Sequence, residues 1–435
     1  MFTGRPGSDP DNLQFCHLAG KRALLSDRAA MRRMKRRSLW PNKGCIMSRL
    51  NYPLSAGALA AACALALGSL PAHADDGGRD RDDGRATRIK KVFVIAMENH
   101  NWTQPATATN PQQIFLNPAA PYLNSLVNGT SGISDQVSYA TNYQSAMIGL
   151  HPSEPNYVWT EAGQALNSLG TDADPFHADC TDQTNNHTDQ HLTAFLMKRH
   201  RTWRSYQEDM NVDHATNTPL PASAWLSPIF SASGNFTLPA VNAYNYTTQF
   251  NYAAKHNPQV FFEDTNLGCP AQHTEWYPPL QQLPLDLQSD HVADYIWITP
   301  DQFNDQHTRL TLGYGSFGST DQGAIAQGDN FLARVVPLIM ASEAYQEGAA
   351  ILLWWDETEG GDSDQFAIPF IVISKNAHAN VGGKPYASAV KFSHSSFLRT
   401  MQEIFDVDPD DGFPFLGDAA NATDLRDLFR PGAIK

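Results

Sequence analysis

Lys91-Val92-Phe93-Val94-Ile95-Ala96-Met97-Glu98-Asn99-His100 is a short apolar run that stops abruptly on a carboxylate and a carboxamide. Its apolar residues occupy both alternating faces, the pattern of a strand buried on both sides in a parallel sheet covered by helices. Such a strand delivers the residues after it to the carboxyl edge of the sheet, where open α/β folds bind their ligands. Glu98 and Asn99 then offer two hard oxygen donors suited to a divalent cation. The competing reading is a strand-ending turn whose polar residues only satisfy backbone groups.

A second stretch repeats the logic. Ala350-Ile351-Leu352-Leu353-Trp354-Trp355 is apolar throughout and ends on Asp356-Glu357. Two buried strands that end this way can gather Glu98, Asn99, Asp356 and Glu357 around one cation, whose charge offsets their mutual repulsion. The alternative for such carboxylates is the acid and base of a glycosidase, which needs no metal. Further strands are expected at Val260-Phe261-Phe262, Tyr295-Ile296-Trp297-Ile298 and Ile368-Pro369-Phe370-Ile371-Val372-Ile373. Helical spacing runs over 189–200, over 330–345 with a kink or break at Pro337, and over 395–405. Strands separated by helices predict an α/β layered domain with a mostly parallel central sheet. Residues 163–257 loosen into Asn/Thr-rich, aromatic-bearing loops, read as an insertion or cap that shapes the site.

Upstream of the first strand the chain changes character. From Met47 a basic start, a small-residue apolar segment and Pro71-Ala72-His73-Ala74 have the layout of a secretory signal peptide, residues 47–74, too short in its apolar part for a stable membrane anchor. Residues 1–46, with ten Lys/Arg and three Asp/Glu, precede that signal and read as an upstream extension. Residues 75–88 are Asp, Arg and Gly with almost nothing apolar, a disordered charged leader. The domain proper is 89–435, and about 360 residues after cleavage suffice for one large core. The whole chain carries a formal charge of −14, and removal of residues 1–46, net +7, together with Arg49 leaves −22. That balance argues against a nucleic-acid or anionic-membrane binder. Of five cysteines only Cys180 and Cys269 lie after the cleavage site; in the oxidising periplasmic or extracellular compartment they are expected to pair.

Three more motifs carry chemistry. His151-Pro152-Ser153-Glu154-Pro155-Asn156-Tyr157 fixes a serine between two prolines in a turn able to open a helix, whose free amides favour phosphate. A hydroxyl there that also touches a metal ion could ionise and attack phosphorus; a rigid turn with an incidental serine is the plain alternative. Pro300-Asp301-Gln302-Phe303-Asn304-Asp305-Gln306-His307 follows a strand, and Phe392-Ser393-His394 opens the last helix, so two imidazoles could meet a phosphate.

Taken in order, Val94-Ile95-Ala96-Met97-Glu98-Asn99, the His151–Tyr157 motif, Asn304-Asp305-Gln306-His307, Trp355-Asp356-Glu357 and Ser393-His394-Ser395-Ser396-Phe397-Leu398-Arg399-Thr400 resemble the motifs of the phosphoesterase family. Ser205-Tyr206-Gln207-Glu208 and Lys255-His256-Asn257-Pro258 resemble that family as well. It contains secreted acid phosphatases and bacterial phospholipases C on an alkaline-phosphatase-like fold. The resemblance implies that Ser153 is the phosphate-accepting nucleophile and a metal ligand. Glu98, Asn99, Asp356 and Glu357 would hold a divalent cation beside it, and Asp305, His307 and His394 would line the phosphate pocket. The His-Pro-Ser-Glu-Pro-Asn-Tyr wording points to the acid phosphatase branch and a small phosphate-ester substrate. A phospholipase C, and a binding protein that kept the fold without catalysis, are the rivals. Asp301 departs from an expected Asn, and Thr308 from an expected Asp, on the leaving-group side.

Overall fold

Val92–Met97 is buried at every position and forms β1, an interior strand of the central sheet. The computed structural model describes residues 86–213, 218–231, 236–237, 249–270, 275–289, 292–378, 382 and 384–435, all within the unit Arg79–Lys435. The upstream extension, the signal peptide and residues 75–85 of the leader lie outside the described residues. From Ala86 onward the chain is already pinned: Arg88 Nη2 donates to Asp406 Oδ1 (2.5 Å), and Ile89 N to Ala433 O (2.9 Å).

The other sheet strands are β2 (Val137–Ala140), β3 (Trp203–Gln207), β4 (Tyr295–Thr299), β5 (Ala350–Trp355), β6 (Phe370–Ile373) and β7 (Tyr386–Ser388), in the order β7-β2-β6-β5-β1-β4-β3. Strands β5, β1, β4 and β3 run parallel, β7 is parallel to β2, and β6 is antiparallel to both its neighbours. The sheet is thus mixed and mostly parallel, as the buried apolar runs predict. Its register sets the chemistry: Met97 pairs with Trp355 and Gln207 with Thr299, so Glu98 and Asp356, and likewise Glu208 and the Pro300-Asp301 turn, leave the same sheet edge side by side.

Five helices matter here: α1 (Pro121–Asn128), α2 (Ser153–Ala162), α3 (Leu192–Lys198), α4 (Asp321–Met340) and α5 (His394–Ile404). Helix α2 packs on α3 and α5, and α1 on α4. Helix α2 ends at Gly163, where φ is +68° and a Cβ would stand 2.3 Å from Leu416 O, so only glycine both caps it and admits the crossing C-terminal segment. Among the described residues no helix is long and apolar enough to cross a membrane.

Three expectations need correction. Val260-Phe261-Phe262 is not a strand: Pro258–Phe261 is a 3₁₀ turn with proline at its first position, which presets φ for a helical turn. The helix expected over 330–345 begins earlier, at Asp321, continues through Pro337 and stops at Met340. Pro337 has no N–H to give the Ala333 carbonyl, so the helix runs past it without that bond and ends three residues later. Within 163–257, β3 belongs to the central sheet as its edge strand.

Candidate active site

The site grows from the carboxyl ends of β1 and β5. Just past β1, Glu98 is fully buried; its Oε2 accepts from Ser153 Oγ (2.9 Å) and its Oε1 from Tyr157 OH (2.7 Å). Both donors lie on α2, one turn apart. Asn99 turns the chain with φ +38°; its N–H donates to Asp356 Oδ1 (3.0 Å) and its Nδ2 to Glu357 Oε1 (3.2 Å). The structure therefore gathers Glu98, Asn99, Ser153, Asp356 and Glu357 at one sheet edge.

Two oxygens in this group stand without donors: Asn99 Oδ1 and Asp356 Oδ2 are buried and accept no hydrogen bond. Acceptor oxygens left bare in the interior are costly unless a cation meets them, so the residues fit a hard divalent ion. Burial, and after it the neighbouring Asp356, pushes the Glu98 carboxyl well above its ordinary range; burial and Glu357 do the same to Asp356. Glu357 is placed differently. Its Oε2 accepts from His151 Nδ1 (2.5 Å) and Asn156 Nδ2 (3.3 Å), so protein donors already satisfy it.

Asp305 comes from the loop after β4 and is tied to β1 by Glu98 N donating to its carbonyl (2.9 Å). Its Oδ1 accepts from His307 N (2.7 Å). The His307 ring sits on the exposed rim, near Thr308 Oγ1 at 3.2 Å. His394 is fully buried at the start of α5. Trp354 Nε1 can only donate, so His394 Nδ1 accepts from it (3.0 Å), and the ring proton rests on Nε2, which donates to the Asp356 carbonyl. Burial holds this imidazole down at about 4. With both ring nitrogens engaged it braces the β5 terminus from behind.

The amides at the start of α2 are fewer than expected: Glu154 N already donates to Asp172 Oδ1 (3.0 Å), and Pro155 has no N–H.

Four residues without a role assigned from sequence alone complete the site. His256 Nε2 lies 3.1 Å from Glu98 Oε1 and its Nδ1 3.5 Å from Asp305 Oδ2, and the ring stacks on Tyr157 at 5.0 Å. Neither Nε2 nor Asp305 Oδ2 has a hydrogen bond. Burial, then Lys255, keeps His256 well below the ordinary histidine range. Lys255 holds its charge, because Glu98 and Asp172 outweigh the burial that works against it. His151 and Tyr157, inside the serine motif itself, hold Glu357 and Glu98. The available signal was the Lys255-His256-Asn257-Pro258 wording, which marked a position without a role.

A buried carboxylate and amide cluster at the edge of a mostly parallel sheet, facing a serine at a helix start, defines a hydrolase-type site. The phosphoesterase family matches residues 88–408, most of the described domain, and the chain belongs to that family. It is 25% identical over 340 residues to a phosphatidylinositol-3-phosphatase of Mycobacterium tuberculosis, covering 78% of this chain and 83% of that protein. A probable acid phosphatase of Kluyveromyces lactis is 24% identical over 283 residues, 64% of this chain and 49% of its own length. Among solved structures, a protein in the alkaline phosphatase superfamily from Vibrio parahaemolyticus is similar, with a TM-score of 0.39 and 11% identity over 79% of this chain and 72% of that one. The chain is accordingly a phosphoric ester hydrolase.

Proposed function

We infer that this phosphoesterase is an exported, metal-dependent enzyme of the acid phosphatase type that cleaves phosphomonoesters through a phosphoserine at Ser153. The observation that carries the reading is the placement of Ser153 Oγ, 2.9 Å from Glu98 Oε2 and at the same sheet edge as the donor-free oxygens of Asn99 and Asp356. A divalent cation held by Glu98, Asn99, Asp356 and Ser153, with Glu357 beside them, would lower the pKa of the serine hydroxyl and draw charge from a phosphate oxygen. Ser153 Oγ then bonds phosphorus while the ester P–O bond breaks, its proton passing along the existing hydrogen bond to Glu98. His307 would stand on the leaving-group side; burial, then Lys255, holds its imidazole down at about 4, so it would protonate the departing alkoxide only under acid conditions. His394, with no free nitrogen, positions Asp356. Water finally cleaves the phosphoserine and releases inorganic phosphate. The Cys180–Cys269 disulfide (Cα–Cα 5.4 Å) supports an oxidising compartment, periplasmic or extracellular.

Turnover of a chromogenic phosphomonoester tests the reading: chelation should abolish it and added divalent metal restore it, whereas absent turnover with full metal would reject it. One observation favours a lipid-borne ester as the substrate. Met147 and Ile148, 48% and 70% exposed, are large apolar side chains in solvent that come just before the serine motif in sequence. A phosphoinositide monophosphate in vesicles should then turn over faster than its soluble headgroup, with the preference lost in Ile148→Asp; equal rates for both would exclude this.

A further inference from the structure

Beyond the serine site, β3 and β4 end side by side and bring a second set of carboxylates together. Glu208 and Asp209 follow β3, and Asp301 follows β4 after one residue. The three residues are 1%, 2% and 1% exposed, and one oxygen from each lies within 4.8 Å of the others. Among the described residues no other group of three or more His, Cys, Asp or Glu meets that distance.

Neutral donors reach all three carboxylates. Glu208 Oε2 accepts from Asp301 N (2.9 Å) and Asn304 Nδ2 (2.9 Å). Asp209 Oδ2 accepts from Asn251 N (3.0 Å), and Asp301 Oδ1 from Phe303 N (3.0 Å) and Asn304 N (2.7 Å). Those donors hold the two aspartates without cancelling their charge. Asp301 Oδ2 remains buried with no donor, while the Asp209 and Asp301 carboxyls approach within hydrogen-bonding reach of each other. Among the described residues neither aspartate forms an ion pair, and the sequence has no lysine or arginine between Arg204 and Lys255. Buried carboxylates persist when paired or when they coordinate a metal.

We propose that Glu208, Asp209 and Asp301 form a second cation site, distinct from the serine site and selective for a hard divalent ion of the calcium class. All three donors are oxygens, with no imidazole or thiolate to attract zinc, and calcium accepts irregular oxygen cages. Its role is structural: it clamps the edge strand β3 to the 301–307 loop, which carries Asp305 and His307.

The test uses the full chain with Asp356→Asn, so that the serine site is weakened, and Ca²⁺ alone as the probe. Equilibrium dialysis should give one bound Ca²⁺ per chain, and thermal unfolding should shift upward by several degrees at saturation. Adding Asp301→Asn, or separately Asp209→Asn, should remove both the bound ion and the shift while the circular dichroism spectrum stays native. No bound Ca²⁺ in the Asp356→Asn chain overturns the proposal. So does undiminished binding in either double variant, or an Asp301→Asn gain in stability that is the same with and without Ca²⁺, which would mark a proton-sharing pair.

Discussion

Between Glu98 and Asp305 stands His256, its ring stacked on Tyr157, and nothing in the linear pattern of Lys255-His256-Asn257-Pro258 says that it faces two carboxylates. Glu98, Asn99 and Asp356 were legible because each directly follows an apolar run, so strand periodicity alone delivers them to the sheet edge. His256 arrives from a 3₁₀ turn, and only tertiary packing sets its distance from β1. His394 was legible in place but not in role: the indole of Trp354 behind it decides that its ring braces the backbone. Asp356→Asn should lower divalent-metal affinity by at least about 10–100-fold, the loss expected even for an outer-shell partner, with activity falling in parallel and partly returning in excess metal. Full metal content in an inactive variant would instead make Asp356 a proton-transfer group. His151 supplies a pH-dependent prediction. The Glu357 hydrogen bond raises its imidazole from 6.5 to about 9, so the folded state holds a proton that the unfolded chain releases earlier. The stability gained is complete below 6.5 and is lost as pH rises through about 9. In chelator, wild type should therefore exceed His151→Gln in urea stability at about pH 6 and lose that margin by about pH 10. A margin unchanged across that range would show that the pair is not ionic.

At the scale of elements, α1 has no side-chain cap of its own. Asp329 of α4 supplies it from across the packing interface, accepting from Tyr122 N (2.9 Å) and Leu123 N (2.8 Å). Asp329→Ala strands those donors and should cost about 1–3 kcal/mol, read as a lower urea midpoint with an unchanged slope. An unchanged midpoint would mean that water replaces the carboxylate. The strands β1, β4, β5 and β6 were readable as apolar runs, but β3 was not, because Trp203-Arg204-Ser205-Tyr206-Gln207 is half polar. Its polar side chains are buried through mutual bonds, Ser205 Oγ to Asn257 Oδ1 (2.9 Å) and Gln207 Nε2 to Thr299 Oγ1 (3.1 Å), which no hydropathy pattern reports. Val260-Phe261-Phe262 failed in the opposite sense: a short apolar run is ambiguous between strand and turn, and Pro258 decided it.

Across the whole molecule, the Cys180–Cys269 bridge spans 89 residues of sequence and ties together the two ends of the stretch that includes β3, Lys255 and His256. Chain-entropy arguments assign a loop of that size about 4–5 kcal/mol, so reduction should lower the unfolding free energy by that order, and an unaffected midpoint in reductant would contradict it. Loosening the stretch should also raise KM, since Lys255 and His256 approach the Glu98 carboxylate from it. The pairing was readable from cysteine number and compartment, whereas the elements that the bridge restrains emerged only with the sheet topology. The site which that topology assembles at the carboxyl edge of β1 and β5 is tested most directly by acid-quenching the enzyme during turnover of a phosphomonoester and mapping the phosphorylated peptide by mass spectrometry. The phosphoserine mechanism predicts a phosphate adduct on Ser153, absent from a Ser153→Ala variant that folds normally and has lost at least about a thousandfold in rate. An adduct on another residue, or an alanine variant that retains most of the wild-type turnover, would contradict it.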